Sequence, residues 1–407
     1  NPNLLFDCVQ IMALPATLSV KINLSGGASF GSAFILGTSQ LGFAELASAI
    51  PVIVDVSAQT TNISTRRGRN LLQDKYESGQ ATIRVVDPAG LFNPQNTASP
   101  YYGLLQPLRK IQASAIYGGV TYGLFGGYIT EYRYTYPTGQ ETGYVTFICY
   151  DAFRLMYNSN VTTVTGGTAG QTTAQRVQSI LTMIAWPPAF TSIGTGATTC
   201  VADPGTTRTV LEAIQTAEFT EQGAFYIDEN GVATFKGRQF VYDAQAASPT
   251  VFNQTGTGIN YAGITFALDD KTIVNKATVT RIGGTAQTYS DATSIAQYFT
   301  RSITATDMLM QTDANALALA TAYVTSRKET SIRIETITLD LMTPSYSAGI
   351  TAALSLDFFN TVDITNEQPG GSTIQKKLQV QGIAHNITPN TWTTTIATQE
   401  PLLDVMY

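Results

Sequence analysis

Between Pro51 and about Leu155 apolar and polar residues alternate in short runs with a period of two, so the segment predicts strands rather than helices. Val52 to Val56, Ala81 to Val86, Ile111 to Tyr117, Val120 to Tyr122, Leu124 to Ile129 and Gly143 to Tyr150 each read as a strand with one buried face. Short strands at this spacing argue for a barrel or sandwich. Gly118-Gly119 turns one run back on the next, and Asp151 to Met156 reads as a helical turn closing the domain. Upstream, Leu18 to Leu24 alternates in the same way before the glycine-rich stretch Ser25 to Gly31, read as a hairpin. That stretch has neither the G-x-G-x-x-G spacing nor the lysine of a phosphate loop, and Gly166 to Thr172 fails the same test.

The period changes after about residue 160. Thr172 or Thr173 can cap a helix whose Val177, Ile180, Leu181 and Ile184 fall on one face, and Trp186-Pro187-Pro188 stops it. A second helix starts near Thr209 with Val210, Leu211, Ile214 and Ala217 inward. Asn230-Gly231 then makes a hairpin turn between Phe225-Tyr226-Ile227 and Val232 to Phe235. From about Gly258 strands resume: Ile273 to Ile282, Ser331 to Asp340, Leu378 to Ile387 and Trp392 to Ala397. One helix is expected among them, Ala314 to Ser326, capped by Thr312 or Asp313, with Leu317, Ala320, Tyr323 and Val324 sharing a face. A faint echo links Gly127 to Glu131, before the run Tyr144 to Tyr150, with Gly382 to Asn386, before the run Trp392 to Ala397.

The densest turn chemistry lies between Asp87 and Leu108. Asp87-Pro88-Ala89-Gly90, Asn93-Pro94 and Ser99-Pro100 break the strand pattern, while Leu91, Phe92, Tyr101 and Tyr102 give the loop apolar groups to pin it down. Arg66, Arg67 and Arg69 form one tight basic cluster. It reads either as a solvated loop or as an inter-subunit salt-bridge site, because a planar guanidinium suits buried interface pairs.

Composition narrows the function classes. The chain has 407 residues, too many for one core, with 43% hydrophobic and only 13% charged residues, against roughly 25% charged in an ordinary domain. So little charge fits burial in an assembly, although a secreted β-rich enzyme would share this composition. A net charge of −6 argues against phosphate gripping, and no sequence-specific nucleic-acid binding is expected. No apolar run is long enough for a transmembrane segment. Cys8, Cys149 and Cys200 are far apart, without a C-x-x-C pair, and read as free thiols.

Catalytic chemistry finds little footing. The single histidine, His385, has no nucleophile motif beside it and reads as structural. Glu218 with Glu221, or Asp269 with Asp270, could be nominated as paired carboxylates, but adjacent residues on a strand face opposite ways. Asp228-Glu229-Asn230-Gly231 lacks the alternating ligands and closing glutamate of a calcium loop. No catalytic, cofactor or metal residue is nominated, and no cofactor is expected.

Several ordered motifs carry a resemblance. Arg66-Arg67-Gly68-Arg69, Glu77 to Ile83, then Asp87, Gly90, Phe92, Asn93-Pro94, Asn96-Thr97 and Ser99 to Gly103 resemble the minor tail proteins of long-tailed actinobacteriophages, themselves similar to the baseplate hub of contractile phages. Ile184 to Pro187, Glu221 to Gly231 and Asn275 to Gly284 agree, in the same order. The resemblance covers about residue 50 to the C-terminus. It implies a mainly β fold with an α+β insert: two β-barrel, tube-type domains at 51–157 and 256–407 flanking a mixed α/β middle domain at 158–255, with 1–50 an N-terminal extension. It also implies a structural virion protein rather than an enzyme, placed at the tail tip as a homotrimeric ring. Its expected partners are the tail tube or distal tail ring protein, the tape-measure protein, and other tip proteins and fibres. Arg66, Arg67, Arg69, Phe92, Tyr101 and Tyr102 are the candidate subunit-interface residues. A receptor- or glycan-binding tail protein, suggested by the many tyrosines and long loops, and a cell-wall hydrolase are the rival readings.

Overall fold

The computed structural model describes residues 14–24, 52–70, 75–136 and 142–400. The expected Ser25 to Gly31 hairpin and Cys8 lie outside them. The first lobe is built from β1 (Thr17–Asn23), β2 (Ile53–Asp55), β3 (Thr60–Asn70), β4 (Lys75–Val86), β5 (Arg109–Tyr117), β6 (Val120–Thr135) and β7 (Tyr144–Tyr150). They pair antiparallel in the lateral order β3-β4-β7-β6-β5-β1-β2. The alternation read from the sequence sets this out, since Ala81, Ile83 and Val85 are buried while Thr82 and Arg84 face outward. Gly118 and Gly119 both take positive φ, 57° and 80°, which makes the two-residue turn that lets Tyr117 pair Val120.

The middle region is mixed: α1 (Phe153–Tyr157), β8 (Asn160–Val161), α2 (Thr173–Met183), β9 (Thr191–Ile193), β10 (Arg208–Thr209), α3 (Val210–Glu221), β11 (Ala224–Ile227), β12 (Ala233–Lys236) and α4 (Arg238–Asp243). Thr172 and Thr209 both close capping boxes, with Gln175 and Glu212 reaching back. Phe153 stacks on Phe225 at 5.6 Å in a second apolar cluster, which also takes in Tyr76 and Tyr128 of the first lobe and Phe358 and Phe359 of the second.

The second lobe comprises β13 (Thr250–Asn253), β14 (Gly263–Ala267), an inserted unit of β15 (Lys276–Arg281), β16 (Gln287–Ser290), α5 (Ala292–Tyr298), β17 (Ser302–Met308) and α6 (Asp313–Thr325), then β18 (Arg333–Asp340), α7 (Ser347–Ser355), β19 (Thr361–Asn366), β20 (Ile374–Thr388) and β21 (Thr391–Gln399). Three helices therefore stand where one was expected. In α6 the buried stripe is Ala316, Leu319, Ala320, Tyr323 and Val324, with Leu317 exposed. Ala316 starts the i, i+3, i+4, i+7 row, and its neighbour Leu317 is turned away from it. Asp269 and Asp270 lie past the end of β14, where the Lys271 amide donates to Asp269 and the Arg301 guanidinium pairs Asp270, so the strand argument does not apply to them.

The fold is mainly β, with two β domains and a mixed α/β region between them. The lobes are not separate bodies. Residues 382–387 of β20 pair antiparallel with residues 63–68 of β3, so one 13-stranded sheet, counted among the described residues, runs through both. A single apolar cluster holds Val20, Ile83 and Phe147 from one lobe and Ile337, Trp392 and Ile396 from the other.

Candidate assembly interface

The joint between the lobes rests on two glycines. Gly68 and Gly382 face each other across β3 and β20, and a Cβ on Gly68 would lie 2.8 Å from the Gly382 Cα. Backbones this close leave no room for side chains. At the other end of the joint Ile63 pairs Ile387, each 1% exposed. Burial of two such side chains contributes about 1.5–3 kcal/mol each.

Arg67 ties the joint to the middle region. β3 carries the basic cluster as strand rather than loop, and its alternation sends Arg67 inward while Arg66 points to solvent. The Arg67 guanidinium lies 3.3 Å from Asp357 and 3.7 Å from Glu229, and sits over the Phe358 ring at 5.0 Å. Burial and the Asp357 charge push the Glu229 carboxyl up, against the pull of Arg67. A polar cleft of about 260 Å³, lined by Arg67, Glu229, Asp357 and His385, opens here. Arg66 makes only a loose 3.9 Å contact with Glu77, and the Arg69 guanidinium lies over the Tyr76 ring at 5.7 Å.

The remaining candidates fall elsewhere. Phe92 is buried, edge-on to Phe147 at 5.3 Å, and Tyr101 packs against it at 5.4 Å. Asp87 organises this loop by accepting from the Leu91 and Phe92 amides and the Tyr136 hydroxyl. Tyr102, at 54% exposed, does not help pin the loop down. The structure thus does not gather the six candidates into one patch, and only Arg66 and Tyr102 are open to solvent.

What sequence reasoning missed is the full extent of the repeat. In both lobes six strands occur in the same chain order and the same lateral order: β3-β4-β7-β6-β5-β1 in the first, β14-β18-β21-β20-β19-β13 in the second. The outermost pair differs, antiparallel for β1 with β5 and parallel for β13 with β19. The registers coincide as well. The row Ile63, Ile83, Phe147, Tyr132 across the first sheet matches Ile264, Ile337, Ile396, Ile383 across the second. β6 and β20 carry a bulge at the same place, with Thr130 and Gln381 the extra residues. Just before β5 and before β19, Leu108 and Phe359 both adopt positive φ, 66° and 67°, and donate to the carbonyls of Ile129 and Val380 at 2.7 and 2.9 Å. The echo read from the sequence falls on the right two hairpins but in another register, since the bulge sets Glu131, not Gly127, against Gly382. The motif had drifted in side chain while its backbone hydrogen bonds persisted, so only the bulge and the positive φ values mark it.

Two buried titratable groups sit nearby. His385 accepts at Nδ1 from the Trp392 indole at 3.5 Å, and the same nitrogen lies 2.9 Å from the Thr394 hydroxyl. Burial, with the Arg67 charge, lowers it to about 3, a structural neutral imidazole as expected. Asp151 accepts from the Gly79 amide, the Ser78 hydroxyl and the Phe153 amide, and burial still raises it to about 7. The glutamates weighed as a pair are hydrogen-bonded within the fold: Glu221 accepts from the Thr173 hydroxyl and the Ala197 and Thr198 amides, and Glu218 from the Phe225 amide. Among the described residues no cluster of three or more His, Cys, Asp or Glu side chains could hold a metal ion. Cys149 and Cys200 are buried free thiols. No described helix is long and apolar enough to cross a membrane.

No protein-family model and no curated protein matches the chain. Solved structures do. The tail protein from Neisseria meningitidis MC58 superposes with a TM-score of 0.59 at 11% identity, over 95% of this chain and 98% of its own. The 43 kDa tail protein of prophage MuSo2 from Shewanella oneidensis gives 0.58 at 12%, over 96% and 100%. A chain of the Francisella PdpA-VgrG complex gives 0.50 at 10%, over 96% of this chain and 53% of that one. The chain shares its fold with these phage tail proteins, as the resemblance in the sequence implied.

Proposed function

We propose that this chain is a structural subunit of a phage tail, a tail-tip or baseplate hub that continues the tail tube as a ring. The observation that carries the reading is the repeat: one chain presents two β lobes of like strand order, register and bulge. Three such chains restore six similar positions, so a six-fold tube can be continued by a three-fold ring. The two tail-protein neighbours, matched along nearly their whole length, support the same assignment. The net charge of −6 suits a bore that DNA passes without sticking. In this role the ring sits in the virion between the tube or distal ring and the host-facing tip proteins, with the tape-measure protein ending against it, and the chain catalyses nothing.

Native mass spectrometry across a concentration series tests the stoichiometry. A trimer is expected, alone or on adding the neighbouring tube protein. A stable hexamer, or a chain that stays monomeric under both conditions, contradicts the ring of three.

A further inference from the structure

Among the described residues the chain contains one joint between like lobes, and the matching pair of edges has no strand partner there. At the joint, the half of β20 beyond the bulge is paired by β3. Its counterpart on β6, Glu131 to Thr135, runs past the start of β5 and pairs only β7 among the described residues, with Tyr136 following. The counterpart of β3 is β14, the outermost strand of the sheet, which pairs only β18 among the described residues.

We infer that these two edges pair with each other between copies of this chain, antiparallel and in the register of the internal joint. The pairs Ile63 with Ile387, Ser64 with Asn386 and Thr65 with His385 translate into Ile264 with Tyr136, Thr265 with Thr135 and Phe266 with Tyr134, continuing to Ala267 with Arg133 and Leu268 with Tyr132.

The side chains agree with this register without having been used to set it. Tyr132 lies edge-on to Phe147 at 5.6 Å and packs against the shared core, so period-two alternation places Tyr134 and Tyr136 on that same face. Ile264 and Phe266 also pack partly against the core. The register therefore sets apolar residues opposite apolar ones on the inner face, and Thr265 and Ala267 opposite Thr135 and Arg133 on the outer. In the lone chain Tyr134, Tyr136 and Leu268 are 45%, 36% and 65% exposed, whereas Ile63 and Ile387 at the internal joint are 1% exposed. An apolar open edge invites strand addition. Each copy offers one edge of each kind, so the contact is head-to-tail and closes into a ring in which internal and intermolecular joints alternate.

The inference rests on the ring reading above, and its test separates the two. Thr135→Cys and Thr265→Cys chains are prepared separately, mixed and mildly oxidised, with the unsubstituted chain and a Thr135→Cys plus Ala267→Cys mixture as controls. A two-chain disulfide product is expected from the first mixture, formed about tenfold or more faster than from the out-of-register pair. As a second measure, Tyr134→Asp should raise the concentration at which half the chains assemble by about tenfold or more, with the circular dichroism of the monomer unchanged. A trimer with no such cross-link, or with an assembly midpoint unmoved by Tyr134→Asp, overturns the pairing and leaves the ring. A chain that neither assembles nor cross-links overturns both.

Discussion

His385 and Asp151 are buried titratable groups with opposite consequences for stability. His385 is held neutral, at about 3, by burial and Arg67, against roughly 6.5 in an unfolded chain. Its folded form resists protonation, so the stability it permits is complete above about pH 6.5 and declines as pH falls toward 3. Asp151 is pushed the other way, to about 7, so its contribution is complete below about pH 3.9 and declines as pH rises to 7. Urea unfolding across this range should show His385→Gln less sensitive than the native chain to acid, and Asp151→Asn less sensitive to the rise toward neutrality. Profiles parallel to the native one would contradict both assignments. The histidine's structural role was legible in the sequence, because one histidine without a nucleophile leaves little else. The buried Arg67 was not: nothing in Arg66-Arg67-Gly68-Arg69 tells which guanidinium turns inward until β3 fixes the alternation and brings Asp357 and Glu229 alongside.

Among the elements, the joint is the most exacting. Gly68→Ala would drive a Cβ to 2.8 Å from Gly382 and 3.0 Å from the Gln381 carbonyl, whereas Gly263→Ala places one at an ordinary 3.6 Å from Thr338. Equilibrium unfolding should therefore show a loss of about 1–3 kcal/mol for the first and a much smaller change for the second. Equal effects would mean that the close approach of β3 and β20 does not govern stability. Elements with strong local signals were readable in advance. The Thr172 and Thr209 caps, the Asn230-Gly231 turn and the alternating β4, β5 and β7 all form as their chemistry dictates. α7 was missed because Ser347 to Ser355 is rich in small residues and opens without a side-chain cap, so neither a start signal nor a large-residue stripe marks it. The pairing of β3 with β20 was out of reach because its partners are distant in sequence and the pair at its closest approach, Gly68 with Gly382, carries no side-chain pattern.

At the scale of the whole molecule, the backbone repeats more faithfully than the sequence. The positions that share the bulge and the positive φ do not share a residue type: Thr130 matches Gln381 and Leu108 matches Phe359. Hydrogen-bond register is fixed by sheet geometry, while side chains need only preserve the apolar inner face. That asymmetry left a faint echo in the sequence and a clear one in the strand order. It also yields the interface, since a lobe that docks onto its own twin inside the chain presents the same two edges outward. The most direct measurement is a cryo-electron microscopy reconstruction of the assembled ring viewed down its axis. Three chains presenting six evenly spaced β lobes, with β6 and β14 of neighbouring copies in one continuous sheet, is the predicted result; a ring in which the two lobes of each chain lie at different radii or heights, with those edges apart, would contradict it.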